Sequence, residues 1–378
     1  MITLAQVREA ISGRDEFSVM DRGSYVAVDY NYVLPDSFEG LRSECRGIKF
    51  APDGTCIARP FAKFHNLGEK PHTMQDALPW NAPHVVLEKL DGSMVHPMVV
   101  DGEILWCTRA GVTEVSLKAP ITTPVAVLAE ESLERGLTPI FEYIGPSNRI
   151  VLRYDTDDMI LTGIRNIETG ALTPYYELRR IGQHYGVPVV NAYGSNIVEI
   201  ASFLEHTRNL KDAEGYVVRW HDGGMVKIKA EDYVLRHRSK DSLAYEKNVL
   251  QLIIGGLVDD TVPMLSPEDA AALLAYEKVV RGAIDYWAGQ LADLVRRVRG
   301  DDPTRWSTFR KTFALDCAPH ISPLLRPAAW AIWDGTEPHK AVADVILRHT
   351  GSQSEVDVLR AIMPQSWTEF YVHRKGEV

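Results

Sequence analysis

The chain has 378 residues, enough for two or three domains at roughly 150 residues each. Its 45% hydrophobic and 24% charged residues exclude a disordered or fibrous chain. With 41 Lys+Arg against 51 Asp+Glu, the net charge of -10 supplies no bulk basic field, so a nucleic-acid site must be a local cluster of cations on an acidic body. No run approaches the roughly 20 apolar residues that span a bilayer, and Met1 to Arg14 lacks the apolar stretch of a signal peptide. Cys45, Cys56, Cys107 and Cys317 form no Cys-x-x-Cys pair and read as reduced, buried thiols of a cytosolic protein.

From about Tyr25 to Lys229 short β-rich runs are punctuated by Gly, Pro and Asp. In chain order the spacing predicts strands at Tyr25–Tyr30, Val85–Leu87, Ile104–Thr108, Ile160–Ile164, Tyr216–Trp220 and Met225–Lys229. Asp101-Gly102 and Asp222-Gly223-Gly224 fit hairpin turns, and helices are expected at Thr123–Arg135 and Pro174–Tyr185. After about Tyr245 the pattern turns helical. Ser266-Pro267-Glu268-Asp269 is a capped helix start, followed by an apolar stripe of Leu273, Tyr276, Val280, Ile284, Trp287, Leu291, Leu294 and Val298 that ends near Gly300. Further helices are expected at about 303–315, 323–333, 338–349 and 354–362. Residues 248–378 hold 14 Lys+Arg and 17 Asp+Glu, a balance of -3, so this region is no basic RNA-binding tail. The division expected is 1–246 and 247–378, an α+β domain with antiparallel sheets followed by a small all-α domain.

The most informative string is Glu88-Lys89-Leu90-Asp91-Gly92-Ser93, directly after an apolar run. Alone it reads equally well as a polar turn leaving a strand. Chemically it suits an activated amine: lysine is a nucleophile only when neutral, and nearby cations or desolvation make it so. Gly92 would let the backbone approach a phosphate. Attack at phosphorus also needs cations for the leaving pyrophosphate and carboxylates for a metal. The chain supplies these in order: Glu44-Cys-Arg46-Gly47-Ile-Lys49, Arg59-Pro-Phe-Ala-Lys63-Phe64-His65, Thr108-Arg109, Phe141-Glu142-Tyr143, Asn148-Arg149-Ile-Val151, Glu214-Gly-Tyr-Val217 and Lys227-Ile-Lys229, with Tyr233 and His237 following.

In these ordered motifs, over about residues 25–260, the chain resembles the bacteriophage T4 RNA ligase 1 family of the covalent nucleotidyltransferase superfamily. The resemblance implies an antiparallel-sheet nucleotidyltransferase (ATP-grasp-like ligase) domain with a C-terminal helical domain that selects substrate. It implies that Lys89 attacks the α-phosphorus of ATP, that AMP passes to an RNA 5′-phosphate, and that a 3′-hydroxyl then displaces AMP. Glu142 and Glu214 match the acids near the ribose and the metal. Asp259 matches a second metal-side acid, with helix capping as its alternative. Lys227 and Lys229 match the paired cations of the last motif, and two residues apart on a strand they share a face. That face would meet the triphosphate and help depress the Lys89 pKa.

Arg46 and Lys63 match upstream phosphate-binding and later-step residues, Arg109 a basic position, and Tyr30 an active-site tyrosine whose alternative is a plain core aromatic. Glu88 and Gly92 complete the nucleotide-binding set with Lys89. Implied cofactors are ATP and Mg²⁺, with Mn²⁺ able to substitute. Implied partners are RNA with 5′-phosphate and 3′-hydroxyl ends, single-stranded or nicked and tRNA-like. No membrane is implied; the picture is of a monomer acting in RNA repair in the host cytoplasm of a phage.

Two departures stand out. The family has lysine at Arg109, and a fork replaces a point charge there; it has an aromatic at His65, where an imidazole can still stack on a base. Two other readings compete. A DNA ligase or mRNA-capping guanylyltransferase would normally append an OB-fold, and 248–378 reads as helices. A non-catalytic nucleotide- or RNA-binding scaffold could dispense with Lys89 or Glu214, and both are present.

Overall fold

The structure, a computed structural model, describes residues 1–300 and 306–371. The chain divides into two compact units, with the break between Val234 and Leu235; the boundary expected from composition, near 246, falls at the start of the helix Glu246–Ile254.

The first unit is built on three sheets, as the α+β expectation requires. β1 (Phe17–Asp21), β2 (Val26–Tyr30), β3 (Ile48–Phe50) and β4 (Cys56–Ala58) form one antiparallel sheet in that order. Val26, Val28, Ile48 and Phe50 pack it against the N-terminal helix Leu4–Ala10, whose Thr3 cap accepts from the Gln6 amide. β5 (His65–Asn66) and β6 (His84–Glu88) belong to a second sheet, and β7 (Ser93–Val100) and β8 (Glu103–Cys107) to a third. β7 and β8 are joined by Asp101-Gly102 with φ of 52° and 83°, the two left-handed positions that a tight hairpin turn requires.

β9 (Leu137–Ile144) and β10 (Asp158–Asn166) complete the third sheet in the order β10-β9-β7-β8. Its outer side is covered by helices Thr123–Glu134 and Tyr175–Tyr185. β11 (Ala192–Ser195), β12 (Gly215–Trp220) and β13 (Met225–Lys229) complete the second, ordered β11-β6-β12-β13-β5. Here β13 and β5 run parallel, while the other pairs are antiparallel. Val86, Val218, Trp220, Val226 and Ile228 turn outward under the helix Ile200–Arg208. The intervening residues therefore face inward.

The second unit is helical. Its longest helix, Pro267–Arg299, starts at the expected Ser266 cap and ends at Gly300. Its buried stripe is Leu273, Tyr276, Val280, Ile284, Ala288, Leu291 and Val295; Trp287, Leu294 and Val298 lie at the margin. The expected stripe passed over two buried positions, Ala288 and Val295.

Residues 303–305 of the expected helix 303–315 lie outside the described residues; helix runs over Trp306–Thr312 and widens into a π turn at Phe313–Cys317. The next begins at Arg326, not 323, since Pro327 is tolerated only in a first turn. Pro338–Arg348 ends one residue short of expectation, and the last segment splits into Gln353–Val358 and a 3₁₀ turn, Leu359–Ala361. Among the described residues no helix is long and apolar enough to cross a membrane.

Candidate active site

Lys89 stands just beyond β6, where its amide donates to the Gly215 carbonyl at 3.0 Å and so extends the pairing with β12 by one residue. The following turn is held by Asp91, which is buried. One carboxylate oxygen of Asp91 accepts from the amides of Val151 and Leu152 at 2.7 and 2.6 Å; the other accepts from the Tyr233 hydroxyl at 2.6 Å. Its own amide donates to the Tyr154 hydroxyl at 3.0 Å. Gly92 is fixed as glycine by packing: a Cβ there would meet the Tyr143 carbonyl oxygen at 2.2 Å. That close approach to β9 calls for glycine here by itself, beside the expected approach to a phosphate.

The inner face of β12 and β13 brings several of the expected site residues together. Glu214, 3% exposed, places one oxygen 2.8 Å from Lys89 Nζ and 3.1 Å from Lys229 Nζ. Lys229 also lies over the Tyr233 ring, and Lys227 Nζ is 5.1 Å from the centre of the Phe64 ring. Burial, and then the charges of Lys89, Lys63, Arg46 and Lys229, push the Lys227 amine down to about 7. Glu142 sits on β9 opposite Met94 and Ile160. Burial pushes its carboxyl up to about 7; Lys89 opposes the rise, and Glu214 adds repulsion. A divalent cation would relieve that repulsion, and carboxylate oxygens are the donors Mg²⁺ and Mn²⁺ take. The two carboxylates fit such an ion only with phosphate and water completing its shell, since among the described residues no group of three or more His, Cys, Asp or Glu is arranged to hold a metal.

A second cationic group comes from the first sheet and the β8 turn. Lys63 Nζ donates to the Tyr30 hydroxyl at 3.1 Å, and Arg109 lies over the same ring with its guanidinium carbon 4.7 Å from the centroid. Burial alone would raise the Tyr30 hydroxyl; Arg109, Lys63 and Arg46 outweigh it and hold the phenol below its usual range. Tyr30 is thus a shared platform for two cations and at the same time a ring packed on Phe38 at the margin of the first core. Arg109 Nε reaches Asp29 only at 3.7 Å, and its Nε and Nη1 are buried without a hydrogen-bond partner. Arg46 Nη1 donates to Met94 Sδ at 3.3 Å, and burial with repulsion from Arg109 lowers its pKa.

Two buried devices hold these arginines side by side. Lys49, 0% exposed, donates from Nζ to the carbonyls of Gly47, Thr108 and Arg109 at 2.7, 2.9 and 2.8 Å. Gly47 has φ 84°, and a Cβ there would meet the Arg109 Cα at 2.7 Å, so the two turns touch backbone to backbone. Below them Glu44 accepts from Arg59 at 2.7 Å and from both terminal nitrogens of Arg165 at 2.7 and 2.8 Å.

Of the residues expected at the site, Lys89, Glu142, Glu214, Lys227 and Lys229 form one group, and Arg46, Lys63, Arg109 and Tyr30 a second linked to it through the charges that act on Lys227 and Glu142. Glu88 does not join them. Opposite Tyr216 on the outer face of the sheet, its carboxylate accepts from the Asn191 amide at 3.2 Å. His65 is buried and tied to Glu69 at 2.8 Å, and the ring under Lys227 is its neighbour Phe64. Asp259 belongs to the second unit, exposed in the first turn of the short helix Val258–Thr261. Sequence reasoning missed Lys49 and the Glu44–Arg59–Arg165 network; Lys49, Glu44 and Arg59 lie within the quoted strings but Arg165 does not, and an ion pair across more than a hundred residues leaves no local pattern.

A model of the RNA ligase family matches residues 44–241, just over half the chain. A putative RNA ligase of Thermovibrio ammonificans is 32% identical over 261 residues, covering 66% of each chain. RNA ligase 1 of bacteriophage TS2126 is 28% identical over 209 residues, covering 50% of this chain and 51% of that protein. The chain therefore spans a little under two thirds and about half of these relatives. An archaeal ATP-dependent RNA ligase structure aligns with a TM-score of 0.46 at 20% identity, covering 63% of this chain and 64% of the other.

Proposed function

The chain belongs to the RNA ligase family, and from that premise we propose that it joins RNA 5′-phosphate and 3′-hydroxyl ends with ATP through a covalent AMP on Lys89. The observation that carries the reading is the Lys89 amine held 2.8 Å from Glu214, on a sheet face that also presents Lys227 and Lys229. An amine fixed by one carboxylate and flanked by two cations is aimed at an electrophile that arrives with negative charge. The bond formed is Lys89 N–P; the bond broken is that to pyrophosphate, whose charge Lys227, Lys229 and the Arg46–Arg109 pair would oppose. In the second step AMP leaves Lys89 for the RNA 5′-phosphate, and in the third the 3′-hydroxyl displaces AMP. Glu142 and Glu214 would hold a divalent cation, Mg²⁺ or Mn²⁺, which supplies charge neutralisation at the phosphates. A role in RNA repair on single-stranded or nicked tRNA-like ends, with the helical unit contributing to substrate choice, extends the same reading.

The test is incubation with α-labelled ATP and Mg²⁺ without RNA. Label should appear on the protein in an acid-labile, base-stable bond. Lys89→Ala should abolish it, and so should Lys89→Arg, because a guanidinium stays protonated. Added 5′-phosphorylated RNA should then discharge the label and be sealed. Preferential labelling by GTP would point to capping chemistry, and no labelling to a binding scaffold.

A further inference from the structure

The inner face of the second sheet continues beyond the lysines. Along β12 it carries Gly215, Val217 and Arg219, set beside Lys229, Lys227 and Met225 of β13, and Val217 and Arg219 face Leu87 and Val85 of β6. Lys89 is anchored at the Gly215 end. In mid-strand Val217 is half-buried, and close by the half-buried Ile160 packs with Leu87 and Val190, so the cleft changes from cationic to apolar within two residues. Then comes Arg219, 4% exposed.

Arg219 is an anomaly in this position. Its Nη1 and Nη2 are buried without a hydrogen-bond partner. Burial pushes its pKa down to about 10, and the countering influence is the Tyr175 hydroxyl, not a carboxylate. Buried guanidinium groups are ordinarily paired, because an unmatched buried charge is strongly unfavourable. Its neighbours in sequence, Val218 and Trp220, turn outward into the helix-covered core, so packing there does not call for a cation.

We propose that Arg219 reads the base of the bound nucleotide, donating from Nη1 or Nη2 to a ring-nitrogen acceptor of the purine. This rests on the reading of the cleft as a nucleotide site. Gly215 and Arg219 are four residues apart, about 13 Å at the rise of a strand. A phosphate bound at Arg219 would leave the reacting phosphorus far from Lys89. With the phosphates at Lys227 and Lys229, the nucleoside lies across Val217 and its purine edge reaches the guanidinium. Apolar walls stack the ring, and one charged donor pair at the far end supplies orientation. A purine offers N1, N3 and N7 as acceptors; a single charged hydrogen bond to one of them fixes which edge faces inward.

The experiment measures the dissociation constants of ATP and its 1-deaza, 3-deaza and 7-deaza analogues by calorimetry, on the full chain and on Arg219→Met and Arg219→Lys. Each analogue removes one acceptor and leaves the phosphates intact. One analogue should bind the unsubstituted protein about tenfold or more weakly than ATP, the scale of a charged hydrogen bond. Arg219→Met should weaken ATP by a similar factor and abolish discrimination against that analogue; Arg219→Lys should restore part of it. A merely structural arginine would weaken all four nucleotides alike, and that outcome overturns the proposal. So does an unsubstituted protein that binds all three analogues within about twofold of ATP, a result independent of whether either variant folds. Binding requires no turnover, so a protein that discriminates the analogues yet never labels Lys89 would refute the ligase chemistry while leaving Arg219 as the base reader.

Discussion

Lys49→Met would test how the two arginine-bearing turns are held together. Methionine nearly matches lysine in length and fills the same fully buried slot, so the change removes the charge and three donors with little loss of volume. Three carbonyls, on Gly47, Thr108 and Arg109, lose a donor now at 2.7 to 2.9 Å. Hydrogen bonds from a charged group contribute roughly 1.5–3 kcal/mol each, and part of that sum is recovered because the ammonium no longer has to be desolvated. The net loss should be about 3–5 kcal/mol. For a unit of this size each kcal/mol moves the melting temperature by about 2–4 °C, so Tm should fall by about 10 °C. Differential scanning calorimetry reads this directly. The KM for ATP in Lys89 labelling should rise as well, since Arg46 and Arg109 lose their common support. A variant that melts within about 1 °C of the unsubstituted protein would refute the latch, and the contact between the turns would then rest on Gly47 alone.

Glu142→Gln should stabilise the protein at pH 8 by about 2–3 kcal/mol and change little at pH 4.5. The native carboxyl keeps its proton up to about 7 while the unfolded one loses it near 4.5; the native state therefore binds more protons in that window, and stability falls as pH rises through it. A Tm difference independent of pH would contradict this. Glu214→Gln leaves Lys89 and Lys229 without their shared carboxylate, a loss on the order of 3 kcal/mol, and single-turnover labelling should slow about 100-fold; a slowing under about threefold would show that Glu214 does not position the amine. Asp259→Ala should raise severalfold the Mg²⁺ concentration needed for half-maximal labelling if it is a metal-side acid. An unchanged Mg²⁺ dependence with a lower Tm would assign it to its helix start instead.

The strands were legible where side chains alternate against a covered face. Tyr216–Trp220 and Met225–Lys229 were placed to within a residue, because Val218, Val226 and Ile228 repeat at two-residue intervals between inward residues. The same alternation put Lys227 and Lys229 on one face. It also determines that Glu88 and Lys89 point apart, a consequence visible in the sequence once the strand is granted. Less legible was whatever depends on pairing between distant strands. The parallel contact of β5 with β13 brings Phe64 under Lys227, and nothing in the local string at 61–66 announces it. Arg219 shows the same limit differently: Tyr-Val-Val-Arg-Trp reads as a strand, and only the three-dimensional neighbourhood shows its cation to be buried without an acceptor.

One oxygen of Glu214 serves two amines, Lys89 and Lys229. Transfer of AMP to Lys89, whose amine must first give up its ammonium proton to solvent, would leave a phosphoramidate nitrogen without positive charge, so that oxygen would then face one cation instead of two. The site would pass from two lysines balanced on one carboxylate to one lysine on one carboxylate. On the proposed reaction, Glu214 would register how far it has gone. In the first state its anion is shared by two lysines; in the second it would be freer to meet whatever enters next, a hydrated metal ion or the hydroxyl groups of an incoming RNA end. A single shared acceptor would thus let the protein distinguish its modified form from its unmodified one without any movement of the backbone.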